Sequence, residues 1–198
     1  MENNEIEVFY PASVAAWRKW LVKNHLSKQA VWLVFYNKKS GIKSISWSEA
    51  VDVALCFGWI DSKKIKIDEN SSQQFFSKRK AKSTWSKINK NKVEKLIEQG
   101  LMTEAGYLSI EVARQNGFWT LLDEVEELIV PADMEAEFAR KPNSKDFFLS
   151  LSKSVRKSML QWIVLAKTEG TRQKRITEIV EQAEKRLKPK HLKCRFSS

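Results

Sequence analysis

The sequence predicts an α+β fold, in which a small antiparallel-type sheet with packed helices is followed by a C-terminal helical module. Residues 30–37 form a continuous apolar run rich in β-branched and aromatic side chains, which is typical of a central strand. Residues 64–67 alternate apolar and basic side chains, and a polar turn at 68–71 separates them from a second strand pattern at 73–77, so a basic hairpin is expected. After Trp119 only helical patterns occur. This order, strands first and helices later, favours α+β over an alternating βαβ sheet.

Local patterns mark the first helices. A helix is expected after Pro11, because Pro is favoured at a helix start and the next apolar residues recur on one helical face. These residues are Trp17, Trp20 and Leu21. Ser46 and Glu49 have the spacing of a capping box, and Gly58 ends the helix that follows them.

Further helices are expected along the rest of the chain. One is capped by Ser83 or Thr84 and stops at Gly100, and the next begins at Thr103. Five more helical segments follow, at 121–129, 133–140, 143–151, 153–167 and 171–187.

The domain organisation predicted from these patterns has three parts. Residues 1–130 form an α+β domain, and residues 131–187 form a helical module after the Pro131 break. Residues 188–198 form a basic tail that we expect to be disordered.

The composition excludes several classes of protein. The 198 residues carry a formal net charge of +11 and are 42% hydrophobic, which is enough for a real core. The N-terminus lacks the basic and apolar regions of a signal peptide, and no apolar run approaches the roughly 20 residues of a membrane span. Two Cys and two His give neither a disulfide framework nor a metal site. We therefore expect a cytoplasmic protein without a transmembrane segment, metal or cofactor.

The positive charge is concentrated in two blocks. Residues 62–95 carry eleven Lys and Arg against three Asp and Glu, a net charge of +8. Residues 153–195 carry thirteen against four, a net of +9, whereas residues 101–149 carry four against ten, a net of −6. Such blocks are usually solvated or mutually complementary. Either the acidic segment docks against a basic block, or both basic blocks converge on one face.

A cluster in the first block is a candidate anion site. It places cations among aromatic and hydroxyl side chains just before an expected helix start, where free N–H groups favour anions. Its cations are Lys78, Arg79, Lys80 and Lys82. The structural alternative is a hairpin exit with its aromatic residues in the core and its lysines in water.

The sequence gives no support for catalysis. His25 ends the first expected helix and His191 lies in the tail, so neither is a convincing base for a nucleophile. Cys56 lies in an apolar run, which indicates a buried thiol. Asp52 and Asp61 flank one helix and are a candidate carboxylate pair, although they match no known acid–base motif.

Several strings together resemble the YdeI/OmpD-associated family of bacterial proteins, over residues 9–187. They are Gly-Trp-Ile-Asp at 58–61, Ser-Thr-Trp-Ser at 83–86, the glycines near 100–106, and Thr-Arg-Gln-Lys-Arg-Ile at 171–176. The last string resembles the helical bacteriocin-protection module of the family. The resemblance implies a link to tolerance of bacteriocins and antimicrobial peptides and to an outer-membrane porin, with no established reaction or cofactor.

These strings contain two further sets of candidate site residues. The first set is a pocket formed by Trp59, Asp61, Trp85 and Asn89, because polar groups beside tryptophans suit a ligand. The alternative for its tryptophans is a packing role. The second set is Arg172 and Arg175, which share a helix face and suit bidentate capture of phosphate or carboxylate. Their alternative is a salt bridge to Glu169 or to the acidic segment.

The leading hypothesis is a non-enzymatic binding protein that serves bacteriocin, antimicrobial-peptide or envelope-stress tolerance. Its basic face would hold an anionic partner, which is phosphate, nucleic acid or an anionic lipid surface. One alternative is a small-ligand-binding protein or enzyme that uses the pocket set. Another is a structural protein that docks a protein partner on an exposed apolar patch.

Overall fold

The computed structural model describes residues 6–189 and divides the chain into two compact units. The first unit ends at Trp119 and the second begins at Thr120, so the predicted boundary at residue 130 falls inside the second unit. Of the predicted basic tail, residues 190–198 lie outside the described residues.

The first unit contains a four-stranded sheet with the strand order β1-β2-β4-β3. The strands are β1 (Val8–Phe9), β2 (Ala30–Tyr36), β3 (Trp59–Lys66) and β4 (Ser71–Lys78). The predicted hairpin is the antiparallel pair β3 and β4, and β4 also pairs antiparallel with β2. However, β1 pairs parallel with β2, so the expected antiparallel-type sheet is mixed at one edge. A strand of two residues is too short to show the alternation of apolar and polar side chains that marks a strand in the sequence. The helix between β1 and β2 provides the crossover connection that two parallel strands require.

Four helices complete the first unit. They are α1 (Val14–Asn24), α2 (Trp47–Cys56), α3 (Lys87–Glu98) and α4 (Glu104–Gln115). The predicted capping box of α2 forms through Ser46 and Glu49. The N-cap of α3 is Ser86, because its hydroxyl accepts the Asn89 backbone N–H, and so the helix begins later than the predicted Ser83 or Thr84 cap.

The core of the first unit lies between one face of the sheet and its helices. Val31, Leu33 and Phe76 come from alternate positions of β2 and β4 and are fully buried. Trp17 of α1 packs edge-on against Phe76. Successive side chains of a strand point to opposite faces of the sheet, so these alternate apolar residues form the face that the helices cover.

The second unit is helical and has its own core. Its helices are α5 (Asp123–Glu126), α6 (Ala132–Ala139), α7 (Pro142–Ser150), α8 (Lys153–Val164) and α9 (Glu169–Glu184). The first of these is shorter than the predicted segment 121–129, because Leu128 takes a left-handed backbone conformation with φ +59°. Across residues 6–189, none of the helices is long and apolar enough to cross a membrane.

Candidate anion-binding cavity

A cavity of about 350 Å³ lies in the first unit at the ends of β3 and β4. Its lining comes from the segment after α1, the end of α2, both strands, the loop after β4, and α4. The lining residues are His25, Leu26, Phe57, Gly58, Trp59, Lys78, Arg79, Lys80, Ala81, Ala105, Leu108, Ser109 and Val112. We call this the basic cavity.

Strand register and close helix packing bring these residues together. Trp59 and Lys78 are opposite each other across β3 and β4, and the next backbone N–H, that of Arg79, donates to the Gly58 carbonyl at 2.8 Å. Gly58 has φ +69°, and a Cβ there would lie 2.8 Å from the Ala105 carbonyl oxygen. Only glycine therefore allows this turn and the approach of α4.

Arg79 is held in a fixed orientation by the loop that follows β4. One guanidinium nitrogen, Nη1, donates to the Thr84 carbonyl at 3.0 Å, and the guanidinium lies 3.7 Å from the centroid of the buried Trp85 ring. Among residues 6–189, nothing accepts a hydrogen bond from the other two nitrogens, Nε and Nη2, which are both buried. These two N–H groups lie side by side on one edge of the guanidinium. We call this edge the Arg79 fork.

Basic side chains other than Arg79 also line the cavity. Burial lowers the pKa of Arg79 to about 10, against the opposing effect of the nearby Asp61 carboxylate, so the side chain is charged at neutral pH. Lys78 and Lys80 line the same cavity, and within the described part of the chain no Asp or Glu does so. A buried charged group is destabilised by each donor that lacks an acceptor, as Nε and Nη2 do here.

Two other residues that line the basic cavity, Trp59 and Lys78, carry hydrogen-bond donors. The indole Nε1 of Trp59 is fully buried and finds no acceptor anywhere in residues 6–189. Lys78 Nζ donates to the Leu26 carbonyl at 2.7 Å, which fixes its ammonium group at the cavity wall. The lining of the basic cavity thus includes Trp59, Arg79 and the two lysines Lys78 and Lys80.

The structure separates the pocket set. Asp61 lines a larger cavity of about 820 Å³ and accepts hydrogen bonds there from the Trp47 indole at 2.9 Å and the Gln74 amide at 3.0 Å. Trp59 instead lines the basic cavity, while Trp85 and Asn89 line neither cavity. Trp85 packs against Trp119, with ring centroids 4.9 Å apart.

The cations of the predicted anion set are also divided. Lys78, Arg79 and Lys80 share the basic cavity, whereas Lys82 is exposed on the loop before α3 and lines neither cavity. Arg172 and Arg175 belong to the second unit.

In the second unit, Arg172 has an acidic partner. Its Nε and Nη2 donate to the two carboxylate oxygens of Asp133 at 2.6 and 2.9 Å, and this contact lowers the pKa of Asp133. Arg175 donates to the Trp162 carbonyl and lies over the Trp162 ring. Asp133 lies in the acidic segment, so for Arg172 the structure selects the salt-bridge alternative.

Other cations of the second unit are paired as well. The further ion pairs in this unit include Lys141–Glu184, Lys145–Glu135 and Lys157–Glu126. The part of the −6 segment that lies in the second unit therefore docks against the basic block through Asp133–Arg172 and Glu126–Lys157.

The candidate catalytic groups do not assemble. Asp52 pairs with Lys92, while Asp61 is bound by Trp47 and Gln74, so the two carboxylates have different partners. Burial raises the pKa of the Cys56 thiol, which keeps it protonated. Within residues 6–189, no group of three or more His, Cys, Asp and Glu side chains is arranged to hold a metal ion.

Sequence reasoning missed the contribution of α4 to the cavity. Leu108, Ser109 and Val112 carry no chemical motif, but small residues around them give a usable pattern. At Gly106 a Cβ would lie 2.3 Å from the Cys56 carbonyl oxygen, so α4 crosses the end of α2 at backbone contact. The run Ala105-Gly106 is the sequence feature that permits this approach.

The fold and the cavity define an α+β unit with a basic pocket, followed in the chain by a separate helical unit. Residues 9–109, about half of the chain, match a family described as a domain of unknown function (DUF8412). Residues 127–186 match the family described as Bacteriocin-protection, YdeI or OmpD-Associated. The chain therefore belongs to the family of unknown function, whose model spans half of it, and the bacteriocin-protection description applies to the matched segment 127–186.

The extent of the match differs from the resemblance expected from the sequence. The bacteriocin-protection match covers residues 127–186, while the Gly-Trp-Ile-Asp and Ser-Thr-Trp-Ser strings lie in the other matched segment. Among curated proteins and solved structures, none matches the chain.

Proposed function

We propose that the protein is a binding protein that holds an oxyanion, a carboxylate or a phosphate group, in the basic cavity of its first unit. The observation that carries the proposal is the Arg79 fork, a fixed and buried pair of N–H groups at a cavity lined by further cations. Leaving a buried donor without a partner costs about 1–3 kcal/mol, and more for a charged group. An anion that accepts both N–H groups removes this cost.

The second unit supplies a precedent for the geometry. Arg172 uses the same two nitrogens, Nε and Nη2, to hold both oxygens of a carboxylate. This is the bidentate arrangement that arginine forms with carboxylates and phosphates. In Arg79 the same two nitrogens meet no acceptor in residues 6–189, and neither does the indole Nε1 of Trp59, the other buried donor among the residues that line the cavity. The two nitrogens are shielded from solvent, so the proposal requires the lining of the cavity to open a path to them.

The proposal joins two predictions made from the sequence. The anionic partner and the small-ligand pocket were separate hypotheses, and they meet here because Trp59 and Arg79 line one cavity. The physiological setting that we propose is bacteriocin or envelope-stress tolerance, which is supported by the family name of the second unit.

Calorimetric titration with inorganic phosphate and with acetate tests the binding. We expect saturable binding of at least one anion by the wild type, and Arg79→Met should weaken it by at least roughly tenfold through the loss of charged hydrogen bonds. Lys82→Met is the matched control, because it removes a cation from the same basic block outside both cavities. It should change the affinity by no more than about twofold. Absence of saturable binding, or an equal loss in both variants, would disprove the proposal.

The physiological part has its own test. A host whose own copy is replaced by the Arg79→Met variant should lose bacteriocin tolerance, while a host with Lys82→Met should keep it. If the two hosts are equally tolerant, anion binding at Arg79 does not contribute to bacteriocin tolerance.

A further inference from the structure

The basic cavity has an apolar side as well as a basic one. Its carbon-rich lining consists of Leu26, Phe57, Trp59, Leu108 and Val112. Leu108 and Val112 are four residues apart on α4 and therefore share a helix face. The cations Lys78, Arg79 and Lys80 come instead from one continuous segment at the end of β4.

We infer that the ligand is a small amphipathic oxyanion, with a carboxylate or phosphate head bound by the Arg79 fork and a compact apolar body packed against α4. This inference rests on the proposed function and adds the class of ligand to it. An apolar body accounts for Leu108, a large apolar side chain that is 62% exposed at the wall of a cavity. Binding would remove this side chain and its apolar neighbours from water, which favours an apolar body over a bare ion.

Size and depth favour a small molecule over a polyanion. A volume of about 350 Å³ is at the lower end of the range for small-molecule pockets. Proteins bind nucleic-acid backbones mainly through accessible phosphate contacts along an extended basic surface. The fork is buried, so the phosphates of a polymer or of a lipid bilayer cannot lie flat against it.

Calorimetric titration of phenyl phosphate against inorganic phosphate tests the apolar half of the site. We expect phenyl phosphate to bind at least roughly tenfold more tightly, because its ring buries apolar surface that inorganic phosphate lacks. Benzoate against acetate makes the same comparison for a carboxylate head.

Leu108→Gln should remove most of the advantage of phenyl phosphate over inorganic phosphate. Ile88→Gln is the matched control, because Ile88 is 66% exposed on α3 and lines neither cavity. Circular dichroism of both variants verifies that the helices are retained.

The outcomes separate this inference from the proposed function. Arg79-dependent binding of inorganic phosphate with no gain from the phenyl group, or with no effect of Leu108→Gln, would overturn the inference and leave the proposed function standing. Loss of all anion binding would overturn both. A thymidine oligonucleotide or a phosphatidylglycerol vesicle that binds more tightly than phenyl phosphate, in an Arg79-dependent manner, would show a polyanion ligand and contradict the inference.

Discussion

Two arginines in two different units present the same guanidinium edge, and their surroundings give that edge different roles. In the second unit, Nε and Nη2 of Arg172 are bound by Asp133 at 2.6 and 2.9 Å. In the first unit, the same atoms of Arg79 are buried and meet no acceptor among residues 6–189. Arg172 is bound within its own unit, whereas Arg79 is held by its neighbours with two donors unused, which is the observation behind the proposed anion site.

The comparison shows how little the net charge of a segment says about binding. The segment 153–195 carries +9, but cations such as Arg172 and Lys157 are paired with acidic side chains of the segment 101–149. The segment 62–95 carries a similar +8, and it supplies the cations that line the basic cavity. These two segments differ in where their acidic partners lie, rather than in how many cations they contain.

The largest effect is expected from Trp85→Ala, which removes the ring under Arg79. Trp85 is 1% exposed and packs against Trp119, so its truncation should lower the free energy of unfolding by about 3–5 kcal/mol. Trp47→Ala is the control, because Trp47 is 51% exposed and mainly loses one hydrogen bond to Asp61, a change of about 1 kcal/mol. Urea denaturation measures both, and similar losses in the two variants would argue against a core role for Trp85.

The paired arginine should show a measurable coupling to its partner. A double-mutant cycle with Arg172→Met and Asp133→Asn should give about 1–2 kcal/mol, since both side chains are partly exposed and screened. The i,i+3 pair Arg140–Glu137, in which the Arg140 side chain is 74% exposed, is the control and should give no more than about 0.5 kcal/mol. Equal coupling energies in the two cycles would contradict the distinction drawn for Arg172.

The same pair predicts a pH dependence. The folded-state pKa of Asp133 is lowered below 3.8 mainly by its hydrogen bond with Arg172, so the stabilisation is present above the unfolded pKa and is lost as pH falls through the folded pKa. The difference in unfolding free energy between the wild type and Asp133→Asn should be constant from about pH 7 to pH 5 and shrink below about pH 4. If the difference in unfolding free energy instead grows as the pH falls, the pKa of Asp133 is not lowered in the folded state and the prediction is wrong.

The smallest effect on stability is expected at Arg79 itself. Arg79→Met loses the bond to Thr84 and the contact with Trp85, but it also removes two buried donors that lack an acceptor in the described chain. The opposing contributions should leave the free energy of unfolding within about 1 kcal/mol of the wild type. A loss as large as that for Trp85→Ala, measured by the same urea denaturation, would mean that Arg79 is a structural residue.

Local patterns predicted most of the fold. The Ser46–Glu49 capping box, the turn at Gly58 and the β3–β4 hairpin each depend on residues close in sequence, and each forms as expected. The parallel strand β1 depends on a contact with β2 across a whole helix, and it was missed.

The site was predictable only in part, for a similar reason. Residues near Arg79 in sequence marked the basic cluster, but its cavity is completed by α4 through packing at Gly106. Arg79 and Arg172 both lie in basic blocks and look alike in sequence. Only the fold shows that Asp133, 39 residues away, reaches Arg172.

The most direct test of the Arg79 fork is ¹H–¹⁵N NMR of the Arg79 Nε–H and Trp59 Nε1–H resonances during titration with inorganic phosphate. The basic cavity predicts that both resonances shift together and saturate at one dissociation constant, while the Arg172 Nε–H resonance, bound to Asp133, stays in place. If the Arg79 and Trp59 resonances do not move, or shift linearly without saturation, the fork does not bind an anion and the proposal is wrong.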